Sequence, residues 1–399
     1  MTGGAPVERA QTVGRQAIDV ARSLLKTALS YSPWVPTRGP HRADEIDAAF
    51  LSRVFRERAP GAVAEAAEDV GGHAGTTNRR RIEVTWNASG RDAGLPEMLF
   101  VKSTPLSAKN RTMVGALDMA VHEVDFYRTA RADLGEIAPT CYFASADPGA
   151  RFTLVLQNLG DGFEHPPFRG ERGVRHARGM MHTLAELHAT FWESPRFRND
   201  LRWAKVQTRR SGLAYLAYTQ RRARVKILRS QEYELPPAAR RLGEILNGRQ
   251  REIYKLFEQG PLTLLHGDCH VGNSYAHADG RAALLDWQVA FRGPHIRELS
   301  YFICSALAPE LRREHEEPLV RLYLDALRDR GVEPPNFDQA WERYRFFLLE
   351  AWDANVITVL WPGLQKQHHI ERTLGYANAA VADHATDEVV ARALNRGCI

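Results

Sequence analysis

Residues 266–273 read HGDCHVGN, and residues 284–288 read LLDWQ. Asp268 and Asn273 are five apart, and Asp286 lies thirteen beyond Asn273. Apolar runs, LTLL at 262–265 and AALLDW at 282–287, flank the turn residues, so the segment reads as a short β unit in a largely helical stretch, with its polar groups on loops where functional residues collect. An Asp, an Asn and a second Asp in this order supply one carboxylate for a reacting hydroxyl and oxygen ligands for a metal bridging phosphates. Phosphoryl transfer from a nucleotide needs those parts, because its catalysis is mostly positioning and neutralisation of charge.

The same order and spacing occur in the catalytic loop and the metal-binding Asp of protein kinases. Here Gly267 replaces the usual Arg, His270 follows the first Asp by two residues, and Trp287 and Gln288 follow the second. With this variant, HGDxHxxN and then DWQ, the chain resembles the aminoglycoside phosphotransferase-like family, in particular its branch similar to choline and ecdysteroid kinases. The resemblance covers roughly residues 60–350. It implies an α+β, two-lobed, protein-kinase-like fold, with a small antiparallel β lobe and a larger, mostly helical lobe. It also implies a small-molecule kinase that moves the γ-phosphate of ATP to a hydroxyl group with Mg2+. Asp268 is then the catalytic carboxylate, and Asn273 and Asp286 are the metal ligands.

The family pattern further calls for a lysine and a helix glutamate paired over the nucleotide phosphates. Lysine is scarce, seven of the 53 basic residues, and Lys102 ends the apolar run MLFV at 98–101. Glu123 shares a helical row with Met119 and Tyr127, so a carboxylate interrupts an apolar face and calls for a cationic partner. Lys102 and Glu123 are the expected pair. The string GGHAGTTNRR at 71–80 reads as a hairpin turn, and its place ahead of Lys102 makes Gly72, Gly75 and Thr76 expected phosphate contacts through backbone amides. LVLQNL at 154–159 is a strand that breaks into a loop. In the family the matching segment links the lobes and offers backbone groups to the adenine, which puts Gln157 and Leu159 at the nucleotide. Relatives often carry an acidic pair where this chain has Gln157 and Asn158, so GTP stays open beside ATP.

His188 shares a face with Met181, Leu184 and Phe191 and reads as a satisfied core histidine; His266 reads as a strut of the catalytic loop, and His270 is divided between loop architecture and a contact near the phosphates. Arg297 and Glu298 stand where relatives commonly have an Asp, so the loop hydrogen bond made there must adjust to a longer side chain. Glu350 and Asp353 together with Trp352, Trp361, Phe346 and Phe347 form a mixed set if they face the cleft, which favours a small, partly apolar alcohol or antibiotic-like metabolite over a polycationic aminoglycoside.

With 399 residues, 44% hydrophobic and 25% charged, the chain is of ordinary globular composition and long enough for two or three lobes. The expected organisation is a helical extension at 1–40, a nucleotide-binding lobe at 41–160 with its linker at 154–160, and a helical lobe at 161–399 holding the catalytic loop at 264–288. Helical spacing is found at 5–30, 42–57, 116–131, 174–193, 236–258, 296–330 with a break near Pro309, 338–360 and 367–382; extended runs lie at 81–86, 98–101, 140–144 and 152–157. No apolar run approaches the roughly 18 residues a bilayer needs, and Glu8 and Asp19 interrupt the segment where a secretory signal would lie. A cytoplasmic protein is expected, without membrane partners. Cys141, Cys269, Cys304 and Cys398 lack paired spacing and read as reduced thiols. The charge of +5 and dispersed arginine doublets without interleaved aromatics do not call for nucleic acid. The oligomeric state is not legible. Two rivals remain: a metal-dependent hydrolase using His266, Asp268 and His270, which leaves Lys102, Asn273 and Asp286 without work, and a nucleotide-binding pseudokinase without turnover.

Overall fold

A computed structural model describes residues 18, 21–22, 25–32, 34–147, 150–160, 162–360 and 366–399. Of the helix expected at 5–30, residues 25–31 are helical and most of the rest falls outside the described residues, as does Trp361. The chain forms two compact units. The first comprises Met1–Ala132, Ala138–Asp161 and Ser211–Tyr215, and the second Asp133–Ile137, Gly162–Arg210 and Leu216–Ile399.

The first unit is built on a five-stranded antiparallel sheet: β1 (Ala64–Ala74), β2 (Asn78–Trp86), β3 (Met98–Ser103), β4 (Cys141–Ala146) and β5 (Phe152–Gln157), in the order β1-β2-β3-β5-β4. Helix α1 (Ala48–Phe55) starts at Asp47, whose carboxylate accepts the Phe50 N–H at 2.6 Å. It joins Phe50, Leu51 and Phe55 to Ile82, Val84, Trp86, Leu99, Val101 and Val155 in one apolar core. Side chains alternate along a strand. Leu99 and Val101 therefore enter this core, and Lys102 is carried to the opposite face. After β3 come α2 (Ala108–Ala116) and α3 (Met119–Thr129), the latter packed on β4 and β5.

The second unit is mostly helical: α4 (Gly170–Thr190), α5 (Leu213–Arg229, from Leu216 onward), α6 (Pro237–Leu256), α7 (Ile296–Ala306), α8 (Pro309–Arg328), α9 (Phe337–Ile357), α10 (Gln367–Asp383) and α11 (Thr386–Arg396). Pro309 opens α8, where its missing N–H costs nothing, and this accounts for the break after Ala306. Five short strands are embedded here. β7 (Leu262–Leu265) pairs with β10 (Phe291–Pro294), and β8 (Ser274–His277) lies between β6 (Phe163–Glu164) and β9 (Ala282–Leu284). Helices α5 and α11 have no counterpart among the expected segments. The buried positions of α5 are Thr219, Gln220, Ala223, Arg224 and Ile227, a face too polar for apolar periodicity to reveal. Among the described residues, no helix is long and apolar enough to cross a membrane.

Candidate active site

β7 runs directly into residues 266–273. Gly267 turns the chain with φ +89°, and a Cβ there would stand 2.2 Å from the Val289 carbonyl oxygen, so both backbone conformation and space require glycine. His266 is fully buried. Its Nδ1 accepts the Asp268 N–H at 3.3 Å, which assigns the ring proton to Nε2, donating to the Leu285 carbonyl at 2.9 Å. Burial pushes its imidazole below the usual range despite nearby acids. With both ring nitrogens committed to backbone, His266 is a strut and cannot ligate a metal, which removes the histidine set of the hydrolase alternative. Among the described residues no group of three His, Cys, Asp or Glu converges as a metal cage.

The Asp268 carboxylate is fixed through both oxygens. Oδ2 accepts from Asn273 Nδ2 at 3.1 Å and lies 3.7 Å from His270 Nε2, and Oδ1 accepts from the Tyr301 hydroxyl at 3.1 Å. Its side chain stays 36% exposed, enough for a substrate to reach it. His270 Nδ1 accepts the Gly272 N–H at 3.0 Å, so the ring shapes the loop while its other nitrogen faces Asp268.

One stripe of α7 holds the whole loop. Glu298, Tyr301 and Ser305 follow one another at helical spacing. Glu298 accepts the His266 and Gly267 N–H groups at 3.0 and 2.8 Å, Tyr301 reaches Asp268, and Ser305 Oγ accepts the Val271 N–H at 3.1 Å. Glu298 is fully buried beside His188 Nε2 at 3.2 Å. Burial raises its carboxyl, but His188, His266 and the Gly267 N–H outweigh that, and the net shift is downward. The opposite side of the Gly267 peptide is held by Arg297, which donates to the Gly267 carbonyl at 3.2 Å and pairs with Glu350 at 2.7 Å. Glu298 thus holds the loop by accepting from its backbone directly. His188, with Tyr323 on its other nitrogen at 2.7 Å, is a satisfied core residue. Tyr301 and Ser305 were missed in the sequence. The signal for them was their helical spacing from Glu298 within an otherwise apolar helix.

The β8–β9 hairpin brings the second Asp to Asn273. Ser274 pairs with Leu284, the Asn273 carbonyl accepts the Leu285 N–H at 2.9 Å, and Asp286 follows one step on, roughly 3.3 Å further along the chain. Asp286 has φ +69°, a strained backbone conformation for a non-glycine residue. Because Asn273 Nδ2 is turned to Asp268, its Oδ1 is turned away. An amide oxygen and a carboxylate at one hairpin end are the hard donors magnesium takes, with phosphate and water completing its shell.

In the first unit Lys102 Nζ lies 2.6 Å from Glu123 Oε2, both side chains almost fully buried, at 3% and 2% exposure. The pair expected from two distant stretches of sequence is formed. Gly72 lies within β1 at a register shift, and a Cβ there would stand 2.0 Å from the Arg79 carbonyl oxygen, so the hairpin itself demands this glycine. Gly75 and Thr76 form the turn, where the Gly75 carbonyl accepts from Asn110 Nδ2 of α2 at 2.7 Å. Asn78 pairs with Ser103, so this turn sits at the Lys102 end of β3, and Gln157 pairs with Leu99 at the other end, about 10 Å away. The Gln157 side chain accepts the Thr140 N–H at 3.2 Å, and Leu159 follows the strand.

The mixed set of α9, offered as a lining only if it faced the cleft, is core. Phe346, Phe347 and Trp352 are 0% exposed core residues, with Phe347 edge-on to Phe257 at 5.1 Å and Trp352 donating to Asn378 at 2.9 Å. Glu350 is paired with Arg297, and Asp353 with Arg224 at 2.8 Å. An aromatic stripe at helical spacing is a core signature first, and these residues obey it.

A family model described as the ecdysteroid kinase-like family matches residues 76–331. A methylthioribose kinase from Bacillus pumilus is 26% identical over 160 residues, 38% of this chain and 40% of the relative, so the match spans less than half of that protein's length. The solved structure of aminoglycoside 2'-phosphotransferase-IIIa with GDP is similar at 13% identity and a TM-score of 0.48, over 84% of this chain and 99% of that one. A choline kinase from Streptococcus pneumoniae is similar at 11% identity and a TM-score of 0.47, over 84% and 98% of the two chains.

Proposed function

The chain belongs to the ecdysteroid kinase-like family of small-molecule kinases, and we propose that it transfers the γ-phosphate of ATP to a hydroxyl of a small molecule, with Asp268 as the carboxylate beside that hydroxyl. The observation that carries this reading is the hold on Asp268, which keeps a solvent-reachable carboxylate in one orientation through Asn273 and Tyr301. A base fixed in this way takes the proton of the attacking hydroxyl as transfer proceeds. Asn273 and Asp286 are the residues that would hold magnesium, which when bound supplies neutralisation of phosphate charge. Lys102, braced by Glu123, donates to the phosphates, and Gly72, Gly75 and Thr76 lie at the hairpin proposed to cover them. At the far end of the sheet Gln157, whose N–H donates to the Thr140 carbonyl at 2.8 Å, and Leu159 mark the segment whose backbone groups would meet the adenine. In this reading residues 41–160 hold the nucleotide and residues 161–399 the catalytic loop, in a cytoplasmic enzyme.

The test is transfer from labelled ATP to a panel of hydroxylated metabolites and antibiotics, with Mg2+. Asp268→Asn is expected to lower transfer by about 10²-fold or more with nucleotide affinity nearly unchanged. Asp286→Ala is expected to abolish magnesium-dependent nucleotide binding. A near-native rate in Asp268→Asn removes Asp268 from the mechanism. Absence of both transfer and nucleotide hydrolysis in the parent protein, with binding retained, identifies a pseudokinase instead.

A further inference from the structure

Two of the arginines nearest the catalytic loop are closed by carboxylates. Arg297 is closed by Glu350, and Arg224 by Asp353 with further hydrogen bonds to Asn247 and Gln250. Arg210 has no carboxylate partner among the described residues. Its guanidinium lies 4.2 Å over the Phe291 ring and donates only to neutral acceptors, Gln207 Oε1 at 3.2 Å and the Val289 carbonyl at 3.3 Å. Arg297 approaches the same ring at 5.1 Å. The Val289 carbonyl that Arg210 touches presses on Gly267, the residue before Asp268, so the guanidinium is set against the wall of the catalytic loop. Burial first, and the neighbouring Arg297 second, lower its pKa to about 10. Glu350 and Asp268 oppose that shift only from beyond ion-pair distance, so a cation so placed gains from an anion that comes closer. Its two terminal nitrogens each spend one N–H on a neutral acceptor, and the N–H groups that remain suit carboxylate, sulfate or phosphate oxygens.

We propose that Arg210 recognises the acceptor by an anionic group, so that the molecule whose hydroxyl Asp268 serves is a hydroxylated anion and not a polyamine. This rests on the phosphotransfer reading for the words acceptor and hydroxyl, but the anion site itself does not. The locking of Glu350 and Asp353 points the same way, because both carboxylates that the sequence offered to a cationic acceptor are already spent on arginines.

The experiment footprints Arg210 in the full chain with phenylglyoxal, followed by peptide mass spectrometry, in the presence of sulfate, lactate or the uncharged lactamide at constant ionic strength. Sulfate and lactate are expected to slow modification of Arg210 by about threefold or more near saturation, lactamide to have no effect, and the exposed Arg221 to react at one rate throughout. Equal rates with and without both anions, or equal protection by lactamide, overturn the assignment. Transfer from labelled ATP is then measured on hydroxy acids and their matched amides. The acids are expected to be preferred by about tenfold or more, with the preference lost in Arg210→Gln and partly kept in Arg210→Lys. Amides accepting phosphate as well as acids defeat the Arg210 proposal and leave the kinase reading standing. No transfer to any compound or to water, with anion protection intact, defeats the kinase reading and leaves the anion site.

Discussion

Replacing Glu298 by Gln keeps the length and shape of the side chain and changes what it can accept. In the native protein its two oxygens take two buried backbone N–H groups, those of Gly267 at 2.8 Å and His266 at 3.0 Å, with His188 Nε2 at 3.2 Å from the second oxygen. A glutamine has one oxygen, so whichever way its amide turns, one of those N–H groups faces an NH2. A buried donor left unsatisfied costs about 1–3 kcal/mol, and loss of charge from the bond that survives brings the expected destabilisation to about 2–4 kcal/mol. Urea unfolding reads this directly. Because both N–H groups lie just ahead of Asp268, kcat is expected to fall more than the nucleotide KM rises. The native carboxyl titrates below its usual value, so its stabilisation is complete above about pH 4.5 and is lost as pH falls through the lower folded value. A Glu298→Gln protein within about 0.5 kcal/mol of the parent, with unchanged kcat, refutes the claim that this carboxylate holds the loop.

Three further outcomes follow from the same geometry. Tyr301→Phe removes one hydroxyl from Asp268 Oδ1 and is expected to lower kcat by about tenfold while leaving the nucleotide KM alone; equal changes in both constants place Tyr301 outside the acceptor step. Lys102→Met removes the ammonium 2.6 Å from Glu123 and is expected to lower kcat/KM for nucleotide by about tenfold or more, whereas Lys255→Met on the surface changes nothing. His176 stacks on Phe168 at 3.9 Å, its Nε2 lies 2.8 Å from Ser274 Oγ, and burial lowers its pKa to about 4. Below its ordinary value near 6.5 the unfolded chain binds the proton first, so stability is expected to fall as pH drops from about 6.5 to about 4, by about 3 kcal/mol in all. His176→Phe should remove that component from the pH dependence of unfolding; an unaltered slope shows that His176 does not contribute it.

The site was most legible where chemistry breaks a local pattern. Lys102 ends an apolar run and Glu123 interrupts an apolar helix face, and the family resemblance is what joined these two anomalies as a pair across twenty-one residues of sequence. The loop at 266–273 was legible through the order and spacing of Asp268, Asn273 and Asp286, which match the kinase catalytic loop and its metal-binding Asp. Reading failed where a polar group is buried by partners far away in the chain. Helix α5 turns Arg224 inward to meet Asp353, Asn247 and Gln250, and nothing local distinguishes that residue from its exposed neighbours Arg221 and Arg222.

The arginine doublets show how far this limit reaches. Arg209 and Arg210 are adjacent and chemically identical, and by composition both belong to a dispersed basic surface. In the fold Arg209 is exposed, whereas Arg210 turns onto Phe291 beside the catalytic loop. Local sequence can assign a residue type to a helix or a turn, but it cannot say which of two equal charges loses its water, since that depends on Phe291 and Val289 some eighty positions on. The energy of a charge is set by that loss of solvent far more than by its identity. A net charge of +5 is therefore compatible with a protein in which one arginine of a doublet is solvated and its neighbour is buried beside the catalytic loop.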